Sequence, residues 1–197
     1  TGLSDYDADG DLDLIVTNYQ LENNALYRND GMLFTEASFQ AGLGQISLNY
    51  LGFGTLFVDV KNDGWLDLFV ANGHVHDNIE QYDKLVTYEQ KAQLFLNEKG
   101  MFREITAHAG PAFEASYVGR GVAYGDYDDD GDLDLVMNNS EQPAVLMRND
   151  GGNSDNWLQI ELQGTKSNRD AVGAVVYLES NGCCLLYTSD AADDTCC

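Results

Sequence analysis

Three acidic segments of nine residues each constrain the fold of this chain more than any other feature. In each segment aspartates recur before a fixed Gly, and a short apolar run typical of a β-strand follows. They hold 14 of the 33 acidic residues, so their charges repel one another unless a cation lies among them. Acidic loops 1, 2 and 3 are Asp5-Tyr-Asp-Ala-Asp-Gly-Asp-Leu-Asp13, Asp59-Val-Lys-Asn-Asp-Gly-Trp-Leu-Asp67 and Asp126-Tyr-Asp-Asp-Asp-Gly-Asp-Leu-Asp134.

The spacing of the aspartates predicts a calcium site in these loops. Carboxylates at positions 1, 3, 5 and 9 converge on one point, Gly at position 6 permits the sharp turn, and a backbone carbonyl at position 7 adds an oxygen. Oxygen ligands without His or Cys favour Ca²⁺ over a transition metal. The predicted carboxylate ligands are Asp5, Asp7, Asp9 and Asp13, then Asp59, Asp63 and Asp67, then Asp126, Asp128, Asp130 and Asp134, and the predicted carbonyl ligands are Asp11, Trp65 and Asp132.

Other interpretations of the loops exist. Segments rich in Asp and Gly also form plain turns between strands. In acidic loop 2, Lys61 stands at position 3, so either its ammonium partly replaces the ion or the site is weak and depends on water. An EF-hand is excluded, because position 12 is Val16, Val70 or Met137 and an EF-hand needs a bidentate Glu there.

The similarity between the three regions extends past the loops. The loops lie 54 and 67 residues apart, which leaves room for about four short strands per unit and indicates propeller blades. We expect entering strands at 52–58 and 119–124, final strands at 34–36 and 102–104, and an insertion at about 73–93. The recurring residues are Asn18, Asn72 and Asn139, and the Asn that ends each Leu26-Tyr-Arg-Asn29, Leu94-Phe-Leu-Asn97 and Leu146-Met-Arg-Asn149.

The formal charge of −23 excludes two classes of function. The field of such a chain repels nucleic acid phosphates and anionic membrane surfaces. No apolar run approaches the roughly 18 residues of a membrane-spanning helix. We therefore expect no nucleic acid partner and no membrane insertion.

These loops, with Gly52-Phe-Gly54 before one of them and Leu26-Tyr-Arg-Asn-Asp-Gly31 after another, resemble FG-GAP (VCBS) repeats. The resemblance covers residues 1–153 as three repeats, the first lacking its leading strand. It implies an all-β fold, a partial β-propeller like that of integrin α subunits, with bound Ca²⁺. Residues 156–176 are similar to the opening of an ASPIC/UnbV domain, as in cartilage acidic protein-like chains, so we expect a fragment of that small β domain over 154–182, with strands at 157–162 and 174–178.

The last fifteen residues, 183–197, break the preceding patterns and contain all four Cys as two adjacent pairs. The stretch 184–193 resembles the conceptual translation of a transposase-end sequencing adapter. We predict a library artefact fused to a reading frame truncated at both ends. The alternative is a Cys-rich metal or disulfide terminus, although adjacent Cys pairs do not match zinc spacings.

Few residues offer catalytic chemistry. His74 and His76 are two apart and could form a metal pair, Arg120 could pair with a neighbouring acidic loop, and no nucleophile motif is present. The resemblance implies a noncatalytic calcium-binding module for extracellular protein or glycan interaction. Alternatives are a propeller domain of a secreted polysaccharide-acting enzyme, with chemistry in the insertion, and a structural spacer. Since extracellular calcium modules bind at about 10⁻⁴–10⁻³ M, we expect a secreted or periplasmic location.

Overall fold

A computed structural model of the chain describes residues 1–154, 157–158, 160–166, 168–180 and 183–188. Their regular structure is β apart from four single-turn 3₁₀ helices, at Ile79–Gln81, Thr106–His108, Pro111–Phe113 and Gly152–Ser154, which confirms the all-β prediction. The strands are β1 Gly2–Ser4, β2 Asp13–Val16, β3 Ala25–Asn29, β4 Phe34–Glu36, β5 Gly52–Val58, β6 Asp67–Asn72, β7 Gln93–Asn97, β8 Phe102–Glu104, β9 Gly119–Gly125, β10 Asp134–Asn139, β11 Val145–Met147, β12 Val175–Ser180 and β13 Cys183–Thr188.

Consecutive strands pair antiparallel to form three sheets, which we call blades. Blade 1 is β1–β4, blade 2 is β5–β8 and blade 3 is β9–β11. The final strands expected at 34–36 and 102–104 are β4 and β8. Strand β1 has three residues where β5 and β9 have seven. Each acidic loop joins the first and second strands of a blade, whereas the insertion joins β6 to β7 at the opposite end of β6.

The apolar core lies between the blades, because strands alternate the faces on which their side chains stand. In β6, Leu68 and Val70 pack against blade 1, while Phe69 and Ala71 pack against blade 3. All four side chains are fully buried. Burying a Leu, Val or Phe side chain contributes roughly 1.5–3 kcal/mol, so the two interfaces hold the blades together.

The first strands of the three blades are neighbours. Strand β5 contacts both β1 and β9. A Cβ at Gly54 would lie 2.7 Å from the carbonyl oxygen of Arg120, so only Gly permits this approach of β5 to β9. Gly54 of the Gly-x-Gly pattern therefore serves the packing between blades 2 and 3.

The C-terminal region differs from the expectation in one respect. Strand β12 matches the predicted strand at 174–178 and pairs with β13, Cys183–Thr188. The described residues of 157–162 belong to none of the strands named above, and only Ile160 is a bridge residue. The described residues of 157–162 therefore do not form the predicted strand, whereas the β-prone run 183–188 pairs with β12. Residues 189–197 of the predicted artefact lie outside the described part.

None of the helices in the described ranges has the length and apolar character needed to cross a membrane.

Candidate metal centres

The three acidic loops share one hydrogen-bonding scheme. The carboxylate at position 1 accepts the backbone N–H groups of positions 5 and 6, at donor–acceptor distances between 2.7 and 3.1 Å. The carboxylate at position 9 accepts the N–H of position 2 and the N–H of the Asn that ends the Leu-x-x-Asn motif. These bonds fold each loop around its own aspartates. The accepting residues are Asp5, Asp59 and Asp126 at position 1, and Asp13, Asp67 and Asp134 at position 9.

Two positions of each loop have left-handed backbone. The Gly at position 6 has φ of 95°, 83° and 93° in acidic loops 1 to 3, as the sharp turn predicted. Position 4 is also left-handed, with φ of 59° at Ala8, 52° at Asn62 and 61° at Asp129. Asn and Asp tolerate this conformation, but Ala costs about 1–2 kcal/mol there. Sequence reasoning did not find position 4, since its three residues differ.

Acidic loop 1 brings three of its predicted ligands together. Oxygen atoms of Asp5, Asp7 and Asp13 lie within 4.8 Å of one another. The Oδ1 atom of Asp7 is buried and has no hydrogen-bond partner. A buried, unpartnered carboxylate oxygen beside two others is what an oxygen-coordinated cation would satisfy, so the residues present fit Ca²⁺.

Acidic loop 3 forms a second group from Asp126, Asp128 and Asp130, again within 4.8 Å. The carboxylates of Asp9 and Asp134 are outside these two groups. The backbone N–H groups of the three predicted carbonyl ligands donate to the position-5 carboxylates at 2.9, 3.0 and 3.2 Å. Carbonyl ligation by Asp11, Trp65 and Asp132 stays a prediction.

Acidic loop 2 has the same backbone scheme but a different charge arrangement. The Lys61 ammonium forms an ion pair with the carboxylate of Asp63. Burial acts to lower the pKa of Lys61, but the bond to Asp63 outweighs it and the pKa is raised. Among the described residues, no group of metal-ligating oxygens was found in this loop. Lys61 therefore places an ammonium at position 3, where acidic loops 1 and 3 have the carboxylates of Asp7 and Asp128.

Burial raises the pKa most strongly at two carboxylates, Asp13 of acidic loop 1 and Asp67 of acidic loop 2. Desolvation raises the pKa of Asp13 to about 7, although the N–H groups of Asn29 and Tyr6 oppose the shift. Desolvation likewise raises the pKa of Asp67 to about 7. The pKa values of Asp5 and Asp7 are raised by the same cause, with neighbouring aspartates adding to it. A divalent cation would relieve this cost in acidic loop 1.

Without calcium, we expect the folded chain to be less stable at about pH 8 than at about pH 5. An unfolded Asp has a pKa of about 3.9. Because the folded pKa of Asp13 and Asp67 is higher, the folded state binds protons more tightly, and that stabilisation is lost as pH rises through about 7. The melting temperature in EDTA should fall across this range and fall less with saturating Ca²⁺. A melting temperature that rises with pH in EDTA would contradict the raised pKa values of Asp13 and Asp67.

The Asn that ends each Leu-x-x-Asn motif was recognised from its recurrence, but its role was not. Asn97 of blade 2 donates its side-chain N–H groups to the carbonyls of Leu66 in its own loop, at 3.0 Å, and of Tyr6 in acidic loop 1, at 2.7 Å. Asn149 of blade 3 donates to the carbonyl of Val60 in acidic loop 2, also at 2.7 Å. Asn97 and Asn149 therefore each tie the acidic loop of the preceding blade to their own blade.

The histidines of the insertion, His74 and His76, take part in hydrogen bonds within the protein. His74 is fully buried, its Nδ1 accepts the backbone N–H of His76 at 3.0 Å, and its Nε2 lies 3.3 Å from the Tyr19 hydroxyl. Burial lowers the pKa of His74; the hydrogen bond from the His76 N–H opposes the shift, and the nearby charges of His76 and Arg120 add to it. Both ring nitrogens are engaged, so the metal pair that the spacing of His74 and His76 suggested does not form.

Arg120 does not pair with an acidic loop, which corrects that expectation. It donates to the carbonyls of Gly73 and His74 at 3.0 Å, and its guanidinium lies 4.0 Å from the centroid of the Phe53 ring. Carbonyl acceptors and an aromatic face satisfy a guanidinium without a carboxylate. Arg120 thereby fixes the start of the insertion to β9.

Comparison with known proteins finds a repeat family in two stretches of the chain. The FG-GAP-like repeat model matches residues 5–70 and 77–137, and the two matches contain acidic loops 1 and 2, and acidic loop 3, respectively. No curated protein matches the chain. Such repeats build β-propeller-type modules that are commonly extracellular and typically noncatalytic. Since the matches cover more than half of the 197 residues, this chain belongs to the FG-GAP-like repeat family.

Proposed function

We propose that this chain is a noncatalytic, calcium-stabilised propeller module that binds a protein or glycan outside the cytosol. The observation that carries the calcium assignment is the convergence of Asp5, Asp7 and Asp13 around an unpartnered buried oxygen. Extracellular calcium modules bind at about 10⁻⁴–10⁻³ M, so such sites fill outside the cytosol and empty inside it. This supports a secreted or periplasmic location.

The insertion supports partner binding. Its Tyr82 and Leu85 are exposed, and Tyr19 and Leu21 of the β2–β3 connection are exposed beside it. The two segments are joined by the contact of Tyr19 with His74 and by a 3.4 Å hydrogen bond from Gln20 to Asp83. We call these four exposed side chains the insertion surface. Exposed apolar residues held together by a fixed framework are typical of binding surfaces.

Retention on glycan and surface-protein arrays in millimolar Ca²⁺ tests partner binding. We expect the chain to be retained by one class of ligand, and Tyr82→Ala with Leu85→Ser to lose most of that retention. Met32→Ser is the matched control, because Met32 is also exposed but lies in the β3–β4 turn. Failure to retain any ligand would favour a structural spacer, and turnover of a polyuronide would favour the enzymatic alternative.

Calcium stoichiometry distinguishes acidic loop 2 from the others. We expect titration calorimetry to give two ions per wild-type chain and three for Lys61→Asp, because the change removes the ammonium and supplies a carboxylate at position 3. Lys61→Met removes the ammonium without adding a ligand, so it should stay at two. Three ions in the wild type would show that Lys61 does not replace the metal.

The ASPIC/UnbV assignment of residues 154–182 belongs to this proposal as well. Its support is the sequence similarity over 156–176 and the strand β12 at the predicted place. Sequencing the uninterrupted gene tests it, together with the artefact at 183–197. A continuation that lacks the rest of such a domain would refute the assignment.

A further inference from the structure

The interface between blades 1 and 2 is formed by two surfaces, and each has a counterpart on another blade that no blade covers in the described part of the chain. Blade 1 presents what we call its downstream face, with Tyr6, Ile15 and Leu26, to the upstream face of blade 2. The residues of that upstream face are Phe57, Leu68, Phe95 and Phe102, with Asn97 at its edge.

Blade 3 carries the downstream face again. Counting from the first Asp of each loop, Tyr127 and Val136 correspond to Tyr6 and Ile15, and Leu146 pairs with Val136 as Leu26 pairs with Ile15. The blade 1 residues are 4%, 0% and 0% exposed, whereas their counterparts are 72%, 42% and 43% exposed. The downstream face of blade 3 is therefore an apolar sheet face without a covering blade among the described residues.

Blade 1 carries the upstream face again. By the same correspondence, Leu3, Leu14, Tyr27 and Phe34 stand where blade 2 has Phe57, Leu68, Phe95 and Phe102. Leu3 is 63% exposed where Phe57 is 7%, and Phe34 is 54% exposed where Phe102 is 5%. Blade 1 thus exposes an upstream face, which is the kind of surface that covers a downstream face such as that of blade 3.

The polar and aromatic contacts between blades 1 and 2 also have counterparts on the two exposed faces. The Tyr6 ring stacks on Phe102 at a centroid distance of 5.7 Å, and Asn97 donates to the Tyr6 carbonyl. If the contact is repeated between chains, Tyr127 meets Phe34 and the Tyr127 carbonyl meets Asn29. Asn29 donates its side-chain amide to Leu12 of its own loop, and within the described residues no loop precedes it that could take the second bond.

We propose that the downstream face of blade 3 binds the upstream face of blade 1 of a second copy of this chain, which repeats the blade 1–blade 2 interface between molecules. The two exposed faces correspond to the two halves of the blade 1–blade 2 interface, so they can form the same kind of interface with each other. Such an association is heterologous, because each copy uses a different surface toward each neighbour.

The test is the molar mass of the full 197-residue chain by light scattering over a range of concentration, with Ca²⁺ and a reductant that prevents disulfides through the four Cys. We expect masses that rise with concentration in multiples of 21.7 kDa. Val136→Asp and Leu3→Asp should each leave a 21.7 kDa monomer with unchanged circular dichroism. Val75→Asp, which changes an exposed residue of the insertion outside the insertion surface, should associate like the wild type.

Mixing the two monomeric variants separates this interface from any other. Val136→Asp retains an intact blade 1 and Leu3→Asp an intact blade 3, so a mixture should form a one-to-one dimer of twice 21.7 kDa and nothing larger. A monomeric wild type overturns the proposal. Failure of the mixture to form a dimer, or loss of association in Val75→Asp, overturns it too.

Discussion

Removal of calcium with EDTA should lower the melting temperature of this chain by roughly 10 °C. A ligand that binds only the folded state at about 20 times its Kd contributes about 2 kcal/mol per site. Two sites, in acidic loops 1 and 3, then contribute about 4 kcal/mol, and 1 kcal/mol shifts the melting temperature of a chain of this size by about 2–4 °C. Calorimetric melting with Ca²⁺, with EDTA, and after Ca²⁺ is restored measures the effect.

Single substitutions assign the loss to one loop. Asp7→Asn preserves the size of the side chain and removes the charge of an oxygen that has no hydrogen-bond partner in the folded chain. It should therefore remove about half of the calcium-dependent shift and raise the melting temperature in EDTA, because it also removes a desolvated charge that Asp9 and Asp5 repel. Asp77→Asn makes the same charge change at an exposed residue outside the loops and should preserve the whole shift. An unchanged melting temperature of the wild type in EDTA would refute structural calcium.

Local patterns were enough to predict the strands. The apolar runs after each acidic loop became β2, β6 and β10, because a short continuous run of large and β-branched apolar residues next to a turn is typical of a buried strand. The position-6 glycines were identified for the same local reason, since a left-handed turn needs them. The insertion was found because it interrupts a repeat.

Contacts across the fold were not predictable from one sequence. The partner of Asn97 is a carbonyl 91 residues away, and nothing in the local pattern of either segment indicates it. Arg120 was misjudged because sequence reasoning assumed a charged partner, whereas carbonyls of the insertion and the Phe53 ring take that place. Likewise, Lys61 occupied a ligand position in the sequence, but only the fold shows its ion pair with Asp63.

Replacing Asn97 with Ala should destabilise the chain by about 3 kcal/mol, or roughly 6–12 °C in melting temperature. The side chain is buried and makes three hydrogen bonds, two to the carbonyls of Tyr6 and Leu66 and one from the N–H of Gly100 at 2.7 Å. Ala leaves these groups without partners in a site that water does not reach easily, and each such loss costs about 1–3 kcal/mol. Denaturant unfolding of the calcium-loaded chain measures the difference.

The matched control is Asn29→Ala, at the same motif position of blade 1. Asn29 is partly exposed and bonds Leu12 and Gly31 of its own blade, so its loss should cost about 1 kcal/mol. The position-9 carboxylate keeps its backbone donor in both variants, so a general weakening of the loops predicts equal effects.

Hydrogen exchange tests whether Asn97 joins the blades. If it does, exchange of the Tyr6–Asp13 amides should accelerate in Asn97→Ala. Exchange of the same amides should stay unchanged in Val58→Ala, an equally destabilised core variant whose substituted residue lies between blades 2 and 3. Equal acceleration in both would show that the Tyr6 contact carries no coupling of its own.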